Sequence, residues 1–319
     1  MTDAPLSHDP LWPRAGGWPA TTRGGAPVDL ALLGVPTWRT SLSPTGAHAT
    51  PAAVRDALRR YSPTLVDGPD GAPVDLGELV VVDHGDVPEP DGPDGEARAR
   101  AAVAAALGDG RQGAGAVVAL GGDNALTVPV ALGAWGTDVA TAGLVTFDAH
   151  HDLRDGVSNG SPVRRLVEAG LDPARIVQVG IADFANSAAY ARRARDLGIT
   201  VVTLDELRRR GPGGPADVVR EALDVAGAAG GPVHLDVDVD VCDRSVAPGC
   251  PASVPGGLAA WELRALVRAA AADARVRSVD LAEVDATADA PDGRTVRLAA
   301  LCVLEVLAGL ALRGGPPRD

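Results

Sequence analysis

The sequence predicts an α/β fold, a mostly parallel central sheet covered by helices on both faces, and three observations carry this. From Val28 onward, apolar runs of strand length alternate with helical patterns. Hydrophobic residues make up 46% of the 319 and charged residues 22%, enough apolar matter for one compact globule. Aromatic residues supply only 3%, so Val, Leu and Ala must fill the core, as they do under parallel sheets flanked by helices.

Residues 1–25, rich in Pro, Gly and Trp without periodicity, read as a surface arm, and 26–319 as a single domain. Strands are expected at 28–34, 78–82, 115–120, 143–147, 175–180, 199–203, 232–239 and 277–284, each an apolar run. Helices are expected at 51–60, 96–108, 124–133, 162–169, 187–197, 215–228, 258–271 and 293–311. Thr50 and Pro51 mark the start of the first. The stretch 83–96 reads as a solvated loop and 208–215 as a turn, and no internal repeat is visible.

Net charge is −13, which argues against a non-specific nucleic-acid or anionic-membrane partner. All 29 basic residues are Arg, a composition bias rather than a device. Cys242, Cys250 and Cys302 are odd in number and form no CxxC pair, so reduced thiols and a cytoplasmic location are expected. No signal peptide is apparent, and no segment approaches ~20 uninterrupted, strongly apolar residues.

In such sheets ligands gather at the carboxyl ends of strands, and the polar residues fall there. Asp123 follows 115–120, Asp148 follows 143–147, and Asp238 and Asp240 end 232–239. In Phe147-Asp148-Ala149-His150-His151-Asp152, extended alternation would put Asp148, His150 and Asp152 on one face, with His151 on the other. The same alternation groups Asp236, Asp238 and Asp240. Asp is depleted in strands, and a buried like-charge cluster needs protons or cations; the alternative is an edge strand with a solvated acidic face. Four carboxylates (Asp148, Asp152, Asp238, Asp240) and the His150 imidazole suit two divalent cations. Oxygen-rich ligation without thiolate points to Mn(II) rather than Zn(II). Two such ions ~3.5–4 Å apart activate water near neutral pH. No GxSxG or Cys/His nucleophile competes, and Leu120-Gly121-Gly122-Asp123 lacks nucleotide-loop spacing.

The segments GGDN (121–124), DAHHD (148–152), LDVDVDVCDRSVAPG (235–249) and LAEVD (281–285) resemble the ureohydrolase family of arginases, agmatinases and formimidoylglutamases. The resemblance runs over about residues 30–310. It implies a three-layer αβα fold with a dinuclear manganese site. Asp148 and Asp238 would bridge the ions, His150 and Asp240 would complete one, and Asp152 would bind the other. Asn124 stands where the family pattern has a ligating His; its amide oxygen is a weaker ligand, so that site would be weak or empty. Asp236, where many relatives have Ser, would compensate with charge or partner His234 or Arg154.

Ser158-Asn159-Gly160-Ser161-Pro162-Val163, with Asn159 where arginases and agmatinases carry His, resembles the formimidoylglutamase type. So do the run Val179 to Tyr190, the doubled His and APGCPA (247–252). The resemblance thus implies hydrolysis of N-formimidoyl-L-glutamate to L-glutamate and formamide, in histidine degradation. A guanidino-substrate hydrolase such as an agmatinase, or a non-catalytic metal-binding paralogue, are the alternatives. Asp152 and Glu283 would be catalytic, with Glu283 also holding the amidine nitrogens beside Asn159. Arg154, Arg164 and Arg39 are candidates for the substrate carboxylates, Arg154 foremost. A homo-oligomer is implied, with Trp12, Trp18 and Trp38 anchoring the arm or a subunit contact.

Overall fold

The computed structural model describes residues 7–22, 26–108, 113–211 and 214–313. In chain order its strands are β1 (Val28–Val35), β2 (Thr64–Leu65), β3 (Val74–Asp75), β4 (Val81–Asp86), β5 (Ala114–Gly121), β6 (Gly143–Phe147), β7 (Ile176–Ile181), β8 (Thr200–Thr203), β9 (Val233–Asp238) and β10 (Val276–Ala282). The helices are α1 (Thr50–Leu58), α2 (Gly95–Leu107), α3 (Thr127–Trp135), α4 (Pro162–Glu168), α5 (Ala188–Leu197), α6 (Leu204–Arg209), α7 (Gly214–Ala226), α8 (Ala260–Ala271) and α9 (Arg294–Leu312).

Eight strands form one sheet in the order β4-β1-β5-β10-β9-β6-β7-β8, and every pairing in it is parallel. Among the described residues only β2 and β3 pair antiparallel, in a separate small ribbon. Alternation sorts the core: Leu30 and Leu32 of β1 pack with residues of α1 and α9, whereas Ala31, Leu33 and Val35 pack with residues of α2 and α3. Helices α1, α6, α7, α8 and α9 cover the first face; α2, α3, α4 and α5 cover the second. Both faces are thus buried, which is why the strands read as continuous apolar runs. The last two strands, β9 and β10, fill the centre between β5 and β6, and the strand order reverses there. The crevice at the carboxyl ends of β5, β10, β9 and β6 is where this topology places a ligand.

Several boundaries differ from those expected. The strand read at 78–82 is β4, which runs into the stretch read as loop, while Leu76–Glu78 is a single 3-10 turn capped by Asp75. Asp83 and Asp86 belong to a strand because Arg55 of α1 reaches both carboxylates. Its Nε and Nη2 donate to Asp83 at 2.7 and 2.9 Å, and its Nη1 to Asp86 at 2.5 Å. Gly34 opens the space for Asp86, since a Cβ there would lie 1.8 Å from Asp86 Oδ1. Within the stretch read as a turn, Arg208 and Arg209 close α6, and Gly214 and Pro215 open α7. Residues 212–213 lie outside the described residues. Helix α6 was hidden because it abuts β8 directly; the Thr203 hydroxyl accepts from Glu206 N–H and starts it.

Of the segment expected as an arm, residues 1–6 and 23–25 lie outside the described residues. Residues 7–22 hold no helix or strand. They are tied down where Ala15 N–H donates to Tyr61 O and Asp83 N–H donates to Pro19 O. Helix α9 is the one described helix long and apolar enough to cross a membrane, yet 72% of that window is buried in the fold, packed on α8 and α1. Its buried Glu305 accepts from Arg264 and Arg268 of α8 at 2.7 and 2.5 Å.

Arg55→Ala leaves two strand carboxylates uncompensated beside α1. A loss of about 1–3 kcal/mol is expected, read as a lower urea midpoint with unchanged slope; an unaltered midpoint would show that β4 does not need the arginine.

Candidate functional site

The loops after β5, β6, β9 and β10 carry the acidic cluster and Asn124, and those after β1 and β7 complete the wall of the cavity. Strand β6 ends at Phe147, and residues 148–152 leave the extended conformation, so the expected alternation does not apply. Convergence comes from turns instead. His150 N–H donates back to Asp148 Oδ1 at 2.6 Å, and Asp152 lies in the left-handed region at φ +51°. Asp240 sits in a 3-10 turn, Val239–Val241, whose N–H donates to Asp238 Oδ1 at 2.9 Å. Glu283 follows β10 at φ +61°, its N–H donating to Gly122 O. Two non-glycine residues in that region at one site cost of order 1–3 kcal/mol each and persist only where the surroundings over-determine them. Gly122 is required here: a Cβ would lie 1.8 Å from Thr37 O.

Asp148, His150 and Asp240 each direct a ligand atom to one spot, all within 4.8 Å of one another. His150 Nδ1 is 3.0 Å from Asp240 Oδ2 and 3.5 Å from Asp148 Oδ1. Asp148 Oδ2 is buried with no hydrogen-bond partner among the described residues. Asp152, Asp238 and Glu283 line the same cavity. An orphaned carboxylate oxygen, several carboxylates and one imidazole are a donor set that fits Mn(II).

The electrostatics have one theme. Burial, reinforced by the charge of Asp240, pushes Asp148 up to about 6. Burial and neighbouring carboxylates raise Asp152 and Asp238 well above the usual range. Burial pushes Glu283 up to about 8, against hydrogen bonds from Asn159 and Asn124. Asp240's charge pushes His150 up to about 12. Burial works to raise Asp240, but the His150 cation outweighs it and holds the carboxyl below the usual range. Without a metal, a single imidazolium offsets the group.

Asn124 reaches the site from the 3-10 turn after β5. Its Nδ2 donates to Asp152 Oδ2 at 2.7 Å, and its Oδ1, the atom able to ligate, accepts from the Thr127 hydroxyl at 2.6 Å. It therefore orients Asp152. Asn159 Nδ2 donates to Glu283 Oε1 at 2.7 Å, and Leu42 N–H donates to Asn159 Oδ1 at 3.0 Å. Asn124 N–H donates to the same Glu283 oxygen at 2.8 Å, leaving Oε2 open to the cavity.

The cavity holds about 330 Å³. Arg154 lines it, exposed, and its guanidinium has no partner among the described residues. Arg164 and Arg39 do not line it: Arg164 is committed to Arg154 O, Gly156 O and Glu168, and Arg39 to Glu89. His151 faces the same cavity as His150 rather than the opposite side, because the backbone turns before it. Burial holds its imidazole below the usual range. Asn186, Ser187 and Tyr190, within the run Val179 to Tyr190, also line the cavity, as does Ala252, which closes APGCPA; nothing in the sequence singles out Leu42.

Beneath the site a polar row crosses four neighbouring strands. Gln178 of β7, Thr146 of β6, Asp236 of β9 and Asp280 of β10 are register partners in turn. Strand β9 is interior, so the solvated acidic edge does not occur. Asp236 bonds neither His234 nor Arg154: His234 contacts Ser278 Oγ at 2.8 Å and Asp280 Oδ2 at 3.0 Å.

The arginase-family profile matches residues 28–309. A formimidoylglutamase of Halobacterium salinarum is 36% identical over 314 residues, 96% of each chain. The crystal structure of a Bacillus subtilis formimidoylglutamase superposes with a TM-score of 0.86 at 31% identity, covering 98% of this chain and 96% of that one. A Trypanosoma cruzi formiminoglutamase structure with Mn2+ shares the fold, with a TM-score of 0.78 at 24% identity over 89% of this chain and 94% of that one.

The metal-free protein should lose stability as pH rises from about 5 to about 8. Asp148 (about 6) and Glu283 (about 8) keep protons in the fold that the unfolded chain has released, and His150 adds a loss above its unfolded value near 6.5. Excess Mn(II) binds the ionised carboxylates and should reverse the slope. Thermal midpoints against pH, in chelator and in Mn(II), check this; matching slopes in both would refute a cation-dependent cluster.

Proposed function

The chain belongs to the arginase family, and on that premise we propose that it hydrolyses N-formimidoyl-L-glutamate to L-glutamate and formamide, a step of histidine degradation. The observation that carries the substrate is Asn159, which ties Glu283 to the loop holding Leu42 where guanidino hydrolases of the resembling family carry His. The names of the similar proteins support it.

Asp148, His150, Asp238 and Asp240 would hold Mn(II), with Asp152 on a second ion, two per subunit. Bound there, Mn(II) supplies Lewis-acid activation of water and positive charge at the reacting centre. Glu283 Oε2 accepts an N–H of the amidine, and Asn124 and Asn159 hold that carboxylate in place. Asp152, steered by the Asn124 amide, orients the water and takes its proton. Water oxygen bonds to the formimidoyl carbon; the glutamate nitrogen then takes the proton held by Asp152 as its bond to that carbon breaks, so glutamate leaves as the amine and the imino nitrogen stays in formamide. Arg154, the one arginine lining the cavity among the described residues, receives a substrate carboxylate at the mouth. Three buried free thiols fit a reducing compartment, and we place the protein in the cytoplasm as a homo-oligomer.

Purified protein with excess Mn(II) is presented with N-formimidoyl-L-glutamate, agmatine and L-arginine. Glutamate and formamide from the first alone are expected. Urea from either guanidino substrate would move the reading to a guanidino hydrolase, and bound metal without turnover to a non-catalytic paralogue. Asp238→Ala should abolish turnover. Arg154→Ala should raise KM about 10- to 100-fold with little change in kcat, the loss of a charged hydrogen bond.

A further inference from the structure

His151 is the imidazole of the cavity that the acidic cluster does not engage. Its Nδ1 lies 2.7 Å from Gln178 Oε1 of β7, and Gln178 Nε2 donates to the carbonyl oxygen of the same His151 at 3.0 Å. That second bond settles the first. A carbonyl oxygen only accepts, so the Gln178 NH₂ must face it and the amide oxygen must face Nδ1. Nδ1 therefore carries the hydrogen, and in the neutral ring Nε2 is a bare acceptor. The backbone of the loop is fixed as well: His151 N–H donates to Asn186 Oδ1 at 2.9 Å, and Asn186 Nδ2 donates to Ala149 O at 2.8 Å. Among the described residues Nε2 has no partner and it is not sealed in the interior, and His151 lines the cavity that also holds Glu283.

We propose that His151 Nε2 accepts a hydrogen bond from an N–H of the substrate's amidine, sharing that cationic group with Glu283, and that Gln178 is the positioning residue that sets the tautomer. This rests on the amidine reading above and deepens it. An acceptor-only nitrogen repels a carboxylate, so His151 also turns the carboxylate-bearing end of the substrate toward Arg154. Asp and Glu side chains alone could not confine the amidine this way without adding charge to an already acidic pocket.

The tautomer is readable by ¹⁵N NMR of histidine-labelled protein loaded with a diamagnetic divalent cation (Mg²⁺). The His151 signals among the six histidines are those lost in His151→Phe. Protonated Nδ1 and unprotonated Nε2 are expected, and added formamidinium should shift Nε2 and not Nδ1. Gln178→Met should mix the two tautomers. In Mn(II)-loaded protein, His151→Phe should raise KM for N-formimidoyl-L-glutamate about 10- to 100-fold, and Gln178→Met several-fold, with Mn(II) stoichiometry and thermal midpoint held near wild type. An Nε2-protonated ring, an Nε2 signal indifferent to formamidinium, or a His151→Phe enzyme of wild-type KM overturns the proposal. So does a fall in kcat alone. Wild-type protein that hydrolyses no amidine defeats the functional reading instead, while the formamidinium titration still decides this one.

Discussion

Everything at this site answers to one constraint: five buried carboxylates, those of Asp148, Asp152, Asp238, Asp240 and Glu283, crowd around one imidazole whose protonated form Asp240 favours. Burial weakens the screening of these groups by water, and each raises the cost of ionising the next. The surrounding structure supplies what offsets this. Backbone N–H groups of His150, Asp240 and Asn124 donate to three of the carboxylates, and two asparagine amides donate to Asp152 and Glu283. These are neutral donors, so they orient the acids without discharging them. The remaining negative charge is what gives the pocket affinity for divalent cations.

That arrangement explains the asymmetry of the central strands. On one face of β9, Val233, Leu235 and Val237 join the apolar core with α7 and α8. On the other, His234, Asp236 and Asp238 climb toward the site, flanked in register by Thr146 and by Ser278 and Asp280. Such a strand would not be stable on apolar burial alone. It persists because the apolar face is complete and because His234 bridges Ser278 and Asp280 within the sheet. Gln178 is the outer member of the same polar row, so the orientation of His151 is anchored in the sheet rather than in a loop.

The layered fold was legible because both faces of the sheet are buried and leave unbroken Val, Leu and Ala runs. Strand β4 was displaced in the sequence reading because Asp83 and Asp86 look like loop residues until Arg55, far back in the chain, is placed against them. The set Asp148, His150 and Asp240 is legible from spacing, but strand alternation is only part of what brings it together. Period-two alternation holds in β9 and stops at Phe147, and the left-handed turn at Asp152 has no signature in composition. For the same reason alternation places His151 on the side opposite His150, whereas both line the cavity. The direction of the Asn124 amide was also beyond reach, since it is set by a hydroxyl one helical turn away at Thr127.

The place of β10 in the sheet has a consequence for biosynthesis. It is the last strand in chain order among the described residues, yet it lies between β5 and β9 at the centre. A nascent chain can pair β5 with β1, and β6 with β7, while the ribosome still holds the C-terminal region. It cannot join these halves, and the carboxyl edges of β9 and β5 stay unzipped until residues beyond Ala282 emerge. Glu283 is delivered by that same closing event. Asp148, His150 and Asp240, at the ends of the directly paired strands β6 and β9, can meet before that event, whereas Glu283 cannot join them until then, and open strand edges make the interval before closure the most aggregation-exposed stage.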